Sequence, residues 1–143
     1  MLNCLRRETV MPSIAEKAVK LVLDYEKKRG WNPIDVSRNR SIIGYDVFST
    51  HGNEIRTIEV KGTRKESAIP DAADTEFTRN LTLIATHLYI VGNLEKPNEN
   101  PILYIIPRKD VKRKYLTIKR TIHFSSTFQK QLPQKYKVRS PLL

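Results

Sequence analysis

Apolar residues near the start of the chain recur at the spacing of a helix. One stripe falls at intervals of three and four residues: Ile14, Ala15, Ala18, Val19, Val22 and Tyr25. Pro12-Ser13 is typical of a helix start, and Ser13 and Glu16 have the spacing of a capping box. Gly30, which follows the basic residues 27–29, is typical of a helix end. The pattern predicts one amphipathic helix with this stripe buried.

The next periodicity along the chain is that of strands. Residues 45–50 and 55–61 alternate and are rich in β-branched and aromatic side chains, and Gly52-Asn53 between them is a turn signal. If that dipeptide is a two-residue hairpin loop, His51 faces Glu54, and the numbers of paired residues sum to 105. The sequence therefore predicts a hairpin in one defined register.

This register brings charged residues together. Asp46 falls opposite Glu59, and Lys61 shares their face, whereas Ile58 and Val60 point the other way. Two carboxylates on adjacent strands repel each other unless a cation lies between them. The pattern indicates either a divalent-metal site or a solvated strand face with a Lys–Glu pair, and from the pattern alone both interpretations stay open.

Hard oxygen ligands decide which metal would suit such a site. The carboxylates of Asp46 and Glu59, with the backbone carbonyl of Val60 as a further oxygen, suit Mg²⁺ or Mn²⁺, which also binds phosphate. Lys61 beside them would orient or help to deprotonate an attacking water and offset charge on a phosphate. The predicted chemistry is therefore phosphate ester hydrolysis.

The remaining segments complete the predicted order of elements. Residues 31–36 resemble a short strand, which Pro33 limits to a sheet edge. Residues 88–91 and 102–106 are apolar runs separated by turn-forming residues, so we expect a core hairpin that ends at Pro107. Residues 62–75 are loop-like, and residues 77–86 are ambiguous between a short helix and irregular chain.

Beyond Pro107, residues 108–116 have the pattern of a basic helical turn and residues 116–124 that of a further strand. The order of elements predicts a single α/β or α+β domain, residues 1–143, with a central mixed β-sheet. We place its core at about residues 12–107 and a basic extension at residues 108–143.

Charge is distributed unevenly along the chain. The formal net charge is +11, yet residues 1–106 hold 15 Lys/Arg against 14 Asp/Glu. Residues 107–143 hold 11 Lys/Arg against Asp110 alone. A near-neutral body with a basic final quarter predicts a polyanionic partner, nucleic acid or an acidic membrane, and the alternative is a solubilising tail.

Several classes of function find no support in the sequence. Cys4 is the only cysteine, so neither an intramolecular disulfide nor a cysteine-based zinc site can form. The chain has no signal-peptide core and no apolar run of membrane-spanning length, which predicts an intracellular, cytoplasmic protein without a membrane. It has no Gly-rich phosphate loop and no Ser or Cys nucleophile motif. Its three histidines, His51, His87 and His123, are scattered, and we expect them to be structural or exposed.

The residues around the predicted hairpin resemble a known family. Gly44-Tyr45-Asp46 followed by Ile-Glu-Val-Lys-Gly at residues 58–62 is similar to the core of the PD-(D/E)XK nuclease superfamily. The closer resemblance is to its NO VEIN C-terminal-type branch, found alone or joined to helicase and restriction-type modules. It spans about residues 12–107 and includes further matching segments: Gly30-Trp31, Asp35-Val36-Ser37, and residues 77–80, Phe-Thr-Arg-Asn.

This resemblance implies a restriction-endonuclease-like core, in which helices flank a mixed sheet. It implies metal ligands at Asp46 and Glu59 and a catalytic lysine at Lys61. The helix before the sheet often adds an acidic residue in this family, here Glu16, although the capping box explains the same residue structurally, and both interpretations stay open. The chain departs from the family pattern at Leu81, where a Glu is usual, which weakens a functional role for neighbouring Thr78 and Asn80.

Basic residues form a second predicted functional layer. Phosphate contacts from Lys and Arg give salt-dependent affinity with little sequence information. The candidates for contact with nucleic acid are Arg64, Lys65, Lys112, Arg113, Lys114, Lys119 and Arg120. Tyr115 lies among them and, in an alternating run, is more typical of a core residue than of a base-stacking one.

Together these features predict a Mg²⁺-dependent DNA endonuclease of PD-(D/E)XK type that hydrolyses phosphodiester bonds. A homodimer suits the cutting of two strands. The first alternative is a non-catalytic nucleic-acid-binding module on the same fold. The second is an assembly subunit of a helicase or restriction-type complex, which docks through its basic tail.

Overall fold

The computed structural model describes residues 10–42, 44–66, 84–95, 100–111, 116–118, 122–124 and 136–138. Its first helix, α1, is Ile14–Lys28, and five strands follow: β1 Asn32–Asp35, β2 Val47–His51, β3 Glu54–Gly62, β4 His87–Gly92 and β5 Ile102–Pro107. A 3₁₀ turn, Arg108–Asp110, precedes the short strands β6 Leu116–Ile118 and β7 Ile122–Phe124. Within these ranges no helix combines the length and the hydrophobicity that crossing a membrane requires.

Strands β1 to β5 form one sheet in the order β1-β2-β3-β4-β5. The β3–β4 pair is parallel, and the other three pairs are antiparallel. The predicted α+β class and central mixed sheet are therefore confirmed. The predicted edge strand with Pro33 is β1, at one end of the sheet, where a residue without a backbone N–H is tolerated.

Helix α1 begins and ends where the sequence predicts. The Ser13 Oγ accepts the Glu16 N–H at 3.1 Å, and the Ser13 N–H donates to Glu16 Oε2 at 2.8 Å, which completes the capping box. Of the predicted stripe, the residues from Ala18 to Tyr25 are buried, but Ala15 is exposed, so that part of the prediction was wrong. The reason is that the first turn of α1 borders an open groove, which Ala15 lines.

Hairpin β2–β3 has the predicted register. His51 pairs with Glu54 and Val47 with Ile58, so the paired numbers sum to 105 along the whole ladder. Gly52 has a φ of +57°, a left-handed conformation that glycine adopts without steric cost and that a two-residue loop needs. The ladder fixes which side chains lie on which face of β3.

The two faces of the sheet are packed differently. Helix α1 covers one face, where its apolar residues contact a buried set that includes Val47, Ile58, Val60 and Tyr89. The other face packs Leu88, Ile90 and Tyr104 into a separate cluster, completed by partly buried side chains such as those of Tyr45 and Tyr136. Alternation along β3 therefore sends even-numbered residues towards α1 and odd-numbered residues away from it.

Gly62 lets α1 come close to the end of β3. A Cβ at this position would lie 2.9 Å from the carbonyl oxygen of Ile14, closer than side chains pack against backbone. Glycine therefore permits the first turn of α1 to sit directly on the last residue of β3. This contact brings the start of the helix to the end of the hairpin that carries the predicted site.

The end of the chain differs from the prediction in detail. The expected core hairpin is confirmed as β4 and β5, and β5 ends at Pro107. Residues 116–124 are not one strand but the antiparallel pair β6 and β7, because the polar residues 119–121 interrupt the apolar alternation. The Val138 N–H donates to the Leu103 carbonyl at 2.8 Å, so part of the predicted extension lies against β5. In the ambiguous segment 77–86, residues 77–83 lie outside the described residues.

Candidate functional site

Asp46 lies just before β2, at the point where the pairing between β2 and β3 begins. Its N–H donates to the Ile58 carbonyl, and its own carbonyl accepts the Val36 N–H, both at 2.8 Å. Its Oδ2 accepts the Val60 N–H, also at 2.8 Å. The ladder ends at Val47 and Ile58, and the Asp46 N–H bonds to Ile58, the partner of Val47, so the predicted pairing of Asp46 with Glu59 does not continue it. The Asp46 side chain instead satisfies the Val60 N–H beyond the end of the ladder.

Glu59 and Lys61 lie on the face of β3 that points away from α1. Their Oε1 and Nζ atoms are 2.7 Å apart, and only 6% of the Glu59 side chain and 12% of the Lys61 side chain are exposed. Val60 and Ile58 between and beside them are buried against α1. The pair is thus largely buried, unlike the solvated strand face that the sequence left open.

A groove of about 880 Å³ connects these residues to α1. Its walls are the first turns of α1, the turn after β1 and the end of β3. Four acidic and four basic residues contribute to its lining: Glu16, Asp35, Asp46, Glu59, Lys17, Lys20, Arg38 and Lys61. All four residues predicted from sequence as catalytic, Glu16 among them, therefore line one groove.

Glu16 is held at the rim of the groove. Besides its bond to the Ser13 N–H, its Oε1 accepts a hydrogen bond from Arg38 Nη2 at 2.7 Å. The Ser13 backbone N–H and then the Ser13 hydroxyl lower the pKa of Glu16, and Arg38 contributes in the same direction. The predicted cap is present, and the groove position is present too, so both interpretations of Glu16 agree with its geometry.

The oxygen atoms at the end of β3 are of the kind that binds a small divalent cation. Val60 directs its N–H towards Asp46, and the N–H and carbonyl of one strand residue point to the same side, so the Val60 carbonyl faces Asp46 as well. Carboxylate oxygens can accept a hydrogen bond and still coordinate a cation, because each has two lone pairs. Among the described residues, however, no group of three or more His, Cys, Asp or Glu side chains is arranged to hold a metal ion.

Only some of the residues predicted to contact nucleic acid are among the described residues. Arg64 is exposed after β3, 3.6 Å from Glu95, and Lys65 is exposed beside it. Neither residue lines the groove. The side chains of the other predicted contacts lie outside the described residues: Lys112, Arg113, Lys114, Lys119 and Arg120.

The histidines lie apart from the groove as far as they are described. The His51 ring is 5.4 Å from the Trp31 ring near the hairpin turn. His87 begins β4, and burial, with smaller contributions from Arg56 and Arg29, lowers its pKa to about 4. The side chain of His123 is outside the described residues.

Sequence reasoning missed a buried carboxylate on α1. Glu26 is fully buried, and its two oxygens accept hydrogen bonds from the Tyr89 hydroxyl at 2.8 Å and the Ser49 hydroxyl at 3.0 Å. Arg56 lies 3.6 Å from the same carboxylate, and its guanidinium is 4.2 Å from the centre of the Trp31 ring. The spacing of four from Ala18 through Val22 to Glu26 was the available signal, since it places Glu26 on the buried stripe.

The groove also contains cations that the sequence did not single out. Lys17 and Lys20 project from α1, and Arg38 lies in the turn after β1. Their common location depends on the contact between α1 and β3 at Gly62, which has no local sequence signal. The groove is therefore lined by basic residues beside its carboxylates.

Comparison with known proteins gives one match. Residues 14–106 match the family model described as Protein NO VEIN, C-terminal. The matched range is more than half of the 143 residues and includes α1, the hairpin and the groove residues from Ala15 to Lys61. No curated protein and no solved structure matches the chain. The chain therefore belongs to the NO VEIN C-terminal family.

Proposed function

We propose that this protein is a metal-dependent DNA endonuclease of PD-(D/E)XK type, acting inside the cell. The observation that carries the proposal is the convergence of Asp46, Glu59 and Lys61 on one groove at the diverging end of a hairpin. The restriction-endonuclease-like nature of the fold is part of the same proposal. It is supported by the mixed sheet and by the position of the charged residues at the end of β3.

Each residue has a distinct role in this proposal. Asp46, Glu59 and the Val60 carbonyl hold Mg²⁺ or Mn²⁺ by hard oxygen ligands. When bound there, such a metal would supply Lewis-acid chemistry, which polarises a phosphate and eases deprotonation of water. Lys61, tied to Glu59 at 2.7 Å, orients the attacking water and offsets the negative charge that develops on the phosphate.

The cost of the buried ion pair supports a chemical role. Taking two charges out of water is expensive, and a buried pair is often no more stabilising than apolar residues of similar size. Glu59 and Lys61 are two residues apart on the same strand, and their charged atoms are largely buried at the wall of the groove. A role in chemistry accounts for keeping the pair in place of apolar side chains.

DNA is the substrate that best suits the charge of the chain. The net charge is +11, and the groove contributes Lys17, Lys20 and Arg38 beside the carboxylates. We propose that the basic residues beyond Pro107 track the DNA backbone further from the cut. Such contacts give affinity and little sequence selectivity.

Cleavage of plasmid or branched DNA in Mg²⁺ or Mn²⁺ tests the proposal. Asp46→Asn keeps an acceptor for the Val60 N–H and removes the charge, and Lys61→Met removes the cation while keeping most of the volume. We expect each to lower the cleavage rate by at least about a hundredfold, the scale of losing one electrostatic contribution. Glu54→Gln, an exposed carboxylate beside the hairpin turn, is the matched control. Unchanged cleavage in Asp46→Asn or Lys61→Met would contradict the assignment.

A second candidate is a non-catalytic DNA-binding module. It is favoured by one observation: Asp46 already accepts the Val60 N–H and Glu59 already pairs with Lys61, an arrangement that serves the hairpin without metal. This candidate predicts salt-sensitive DNA binding that persists in a chelator. It also predicts no hydrolysis by pure protein in Mg²⁺ or Mn²⁺.

A further inference from the structure

A second hollow lies on the outer side of α1. It encloses about 410 Å³ and is bounded by residues of the helix, of the segment before it and of the segment after β4. The residues that line it are Pro12, Lys17, Lys20, Leu21, Asp24, Tyr25, Lys28 and Leu94. None of the roles assigned above uses this hollow.

Its chemistry is divided between an apolar floor and a basic rim. Leu21 and Leu94 are half-buried, and Tyr25, which is buried, completes the apolar part of the lining. Three lysines face one carboxylate, that of Asp24, so the lining has an excess of two positive charges. A ligand made of phosphates alone would need only the lysines. The apolar floor beside them suits a ligand that also has a planar apolar surface.

The hollow continues into the groove of the proposed active site. Pro12, Lys17 and Lys20 line both. The two lysines therefore lie where the two hollows adjoin, and Lys28 lies at the far end of the helix. From Lys17 to Lys28 the helix rises about 16 Å at 1.5 Å per residue, enough to follow several nucleotides of one strand.

We infer that this hollow binds an unpaired nucleotide of the DNA substrate. The base lies against Leu21, Leu94 and Tyr25, and the phosphates on either side contact Lys17 and Lys20 as the strand leaves the active-site groove. The inference rests on the proposed nuclease function and narrows its substrate class. The preferred substrate is DNA with a single-stranded segment next to the cut, such as a fork or a flap.

An intact duplex does not fit this arrangement. Paired bases are stacked on both faces, so they cannot cover the apolar floor without leaving the stack. An unpaired base has an exposed face and needs no such opening, and contact with an aromatic or apolar surface is tolerant of base identity. The hollow therefore discriminates by strand structure and not by sequence.

Equilibrium binding in a chelator tests the inference without cleavage. Fluorescence anisotropy compares a labelled duplex that ends in two unpaired arms with a blunt duplex of equal length, at ~0.1 M salt. The wild-type protein is expected to bind the forked DNA about tenfold more tightly, the scale of one base-stacking contact. Leu21→Gln is expected to abolish this preference while leaving the affinity for blunt duplex within about twofold, since the phosphate contacts remain.

Two charge-reversal variants on α1, one inside the hollow and one outside it, provide a matched comparison. Lys20 lines both hollows, whereas Lys27 is exposed on the same helix and lines neither. Lys20→Glu and Lys27→Glu change the net charge equally. Lys20→Glu is expected to weaken binding of forked DNA about tenfold, and Lys27→Glu about twofold, because only the first loses a phosphate contact. Thermal melting of both variants verifies that they fold.

Two results would overturn the inference: equal affinity for forked and blunt DNA, or equal weakening by Lys20→Glu and Lys27→Glu. Failure of the nuclease proposal gives a different result. In that case the fork preference and its dependence on Leu21 and Lys20 persist in chelator, while no DNA is cut in Mg²⁺ or Mn²⁺. Cleavage without a fork preference would instead leave the nuclease proposal standing and remove the inference.

Discussion

Two glutamates are buried in the part of the chain that the structure describes, and their surroundings differ. Glu26 is fully inaccessible and Glu59 is 5% exposed, and each lies close to a cation. Glu26 on α1 is bonded to Ser49 of β2 and Tyr89 of β4, with Arg56 of β3 nearby. Its carboxylate therefore joins the helix to three strands.

Glu59 is connected differently. Its cation, Lys61, belongs to the same strand and lies on the wall of a groove. This contact lies within one strand, whereas the contacts of Glu26 reach from the helix to three strands. The comparison suggests a criterion: a buried charge bonded to several elements serves folding, and one that pairs with a cation of its own strand on the wall of a groove is a candidate for chemistry.

The largest effect on stability is expected at Glu26. Glu26→Ala leaves Arg56 and the hydroxyls of Ser49 and Tyr89 without their buried acceptor, and removing one partner of a buried charge network costs about 3–5 kcal/mol. Urea unfolding measures the loss. Glu54→Ala, at an exposed site on β3, should change the free energy of unfolding by less than about 0.5 kcal/mol. A loss at Glu26 as small as at Glu54 would remove the structural half of the comparison.

A smaller effect is expected from pH on the same side of the sheet. His87 lies 6.3 Å from the Tyr89 ring, and burial, followed by Arg56 and Arg29, lowers its pKa from 6.5 to about 4. Between these values the unfolded chain binds a proton that the folded protein does not, so stability falls as the pH drops from about 6.5 towards 4. We expect a loss of about 1–2 kcal/mol, discounted because the ring is half-exposed.

Replacement of His87 isolates this contribution. In His87→Gln the decrease in unfolding free energy between pH 6.5 and pH 4 should be smaller than in the wild type, since one proton-binding group is gone from the unfolded chain. Urea unfolding at several pH values measures it. Identical pH profiles for the two proteins would mean that His87 is not the residue responsible.

The smallest effect on stability is expected for a double variant that abolishes DNA cleavage. The double variant Glu59→Gln with Lys61→Met removes both charges together, so neither is left buried and unpaired. Its free energy of unfolding should lie within about 1 kcal/mol of the wild type, while DNA cleavage is lost. A loss of stability as large as that of Glu26→Ala would place Glu59 with Glu26 as a folding residue.

Features set by neighbouring residues were predictable from the sequence. The capping box fixed the start of α1, and the Gly52-Asn53 turn fixed a register that holds along the whole hairpin. That register in turn placed Glu59 and Lys61 on one face. Each of these predictions depends on residues that are close in sequence, so local physical rules suffice for them.

Features set by the approach of distant segments were not predictable. The groove cations Lys17 and Arg38 meet only because Gly62 lets α1 rest on the end of β3. The Glu26 network needs Tyr89, which reaches it through the parallel pairing of β3 and β4 across a long connection. The exposure of Ala15 has the same origin, since the helical stripe continues past the edge of the sheet that it covers.

Calorimetric titration with Mn²⁺ tests the central claim, that Glu59 is buried for the sake of a metal-dependent site. The wild-type protein should bind Mn²⁺, Glu59→Gln should bind it at least about tenfold more weakly, and Glu54→Gln should bind it as the wild type does. Mn²⁺ binding of equal strength by the wild type and Glu59→Gln, or no binding by the wild type, would contradict the account.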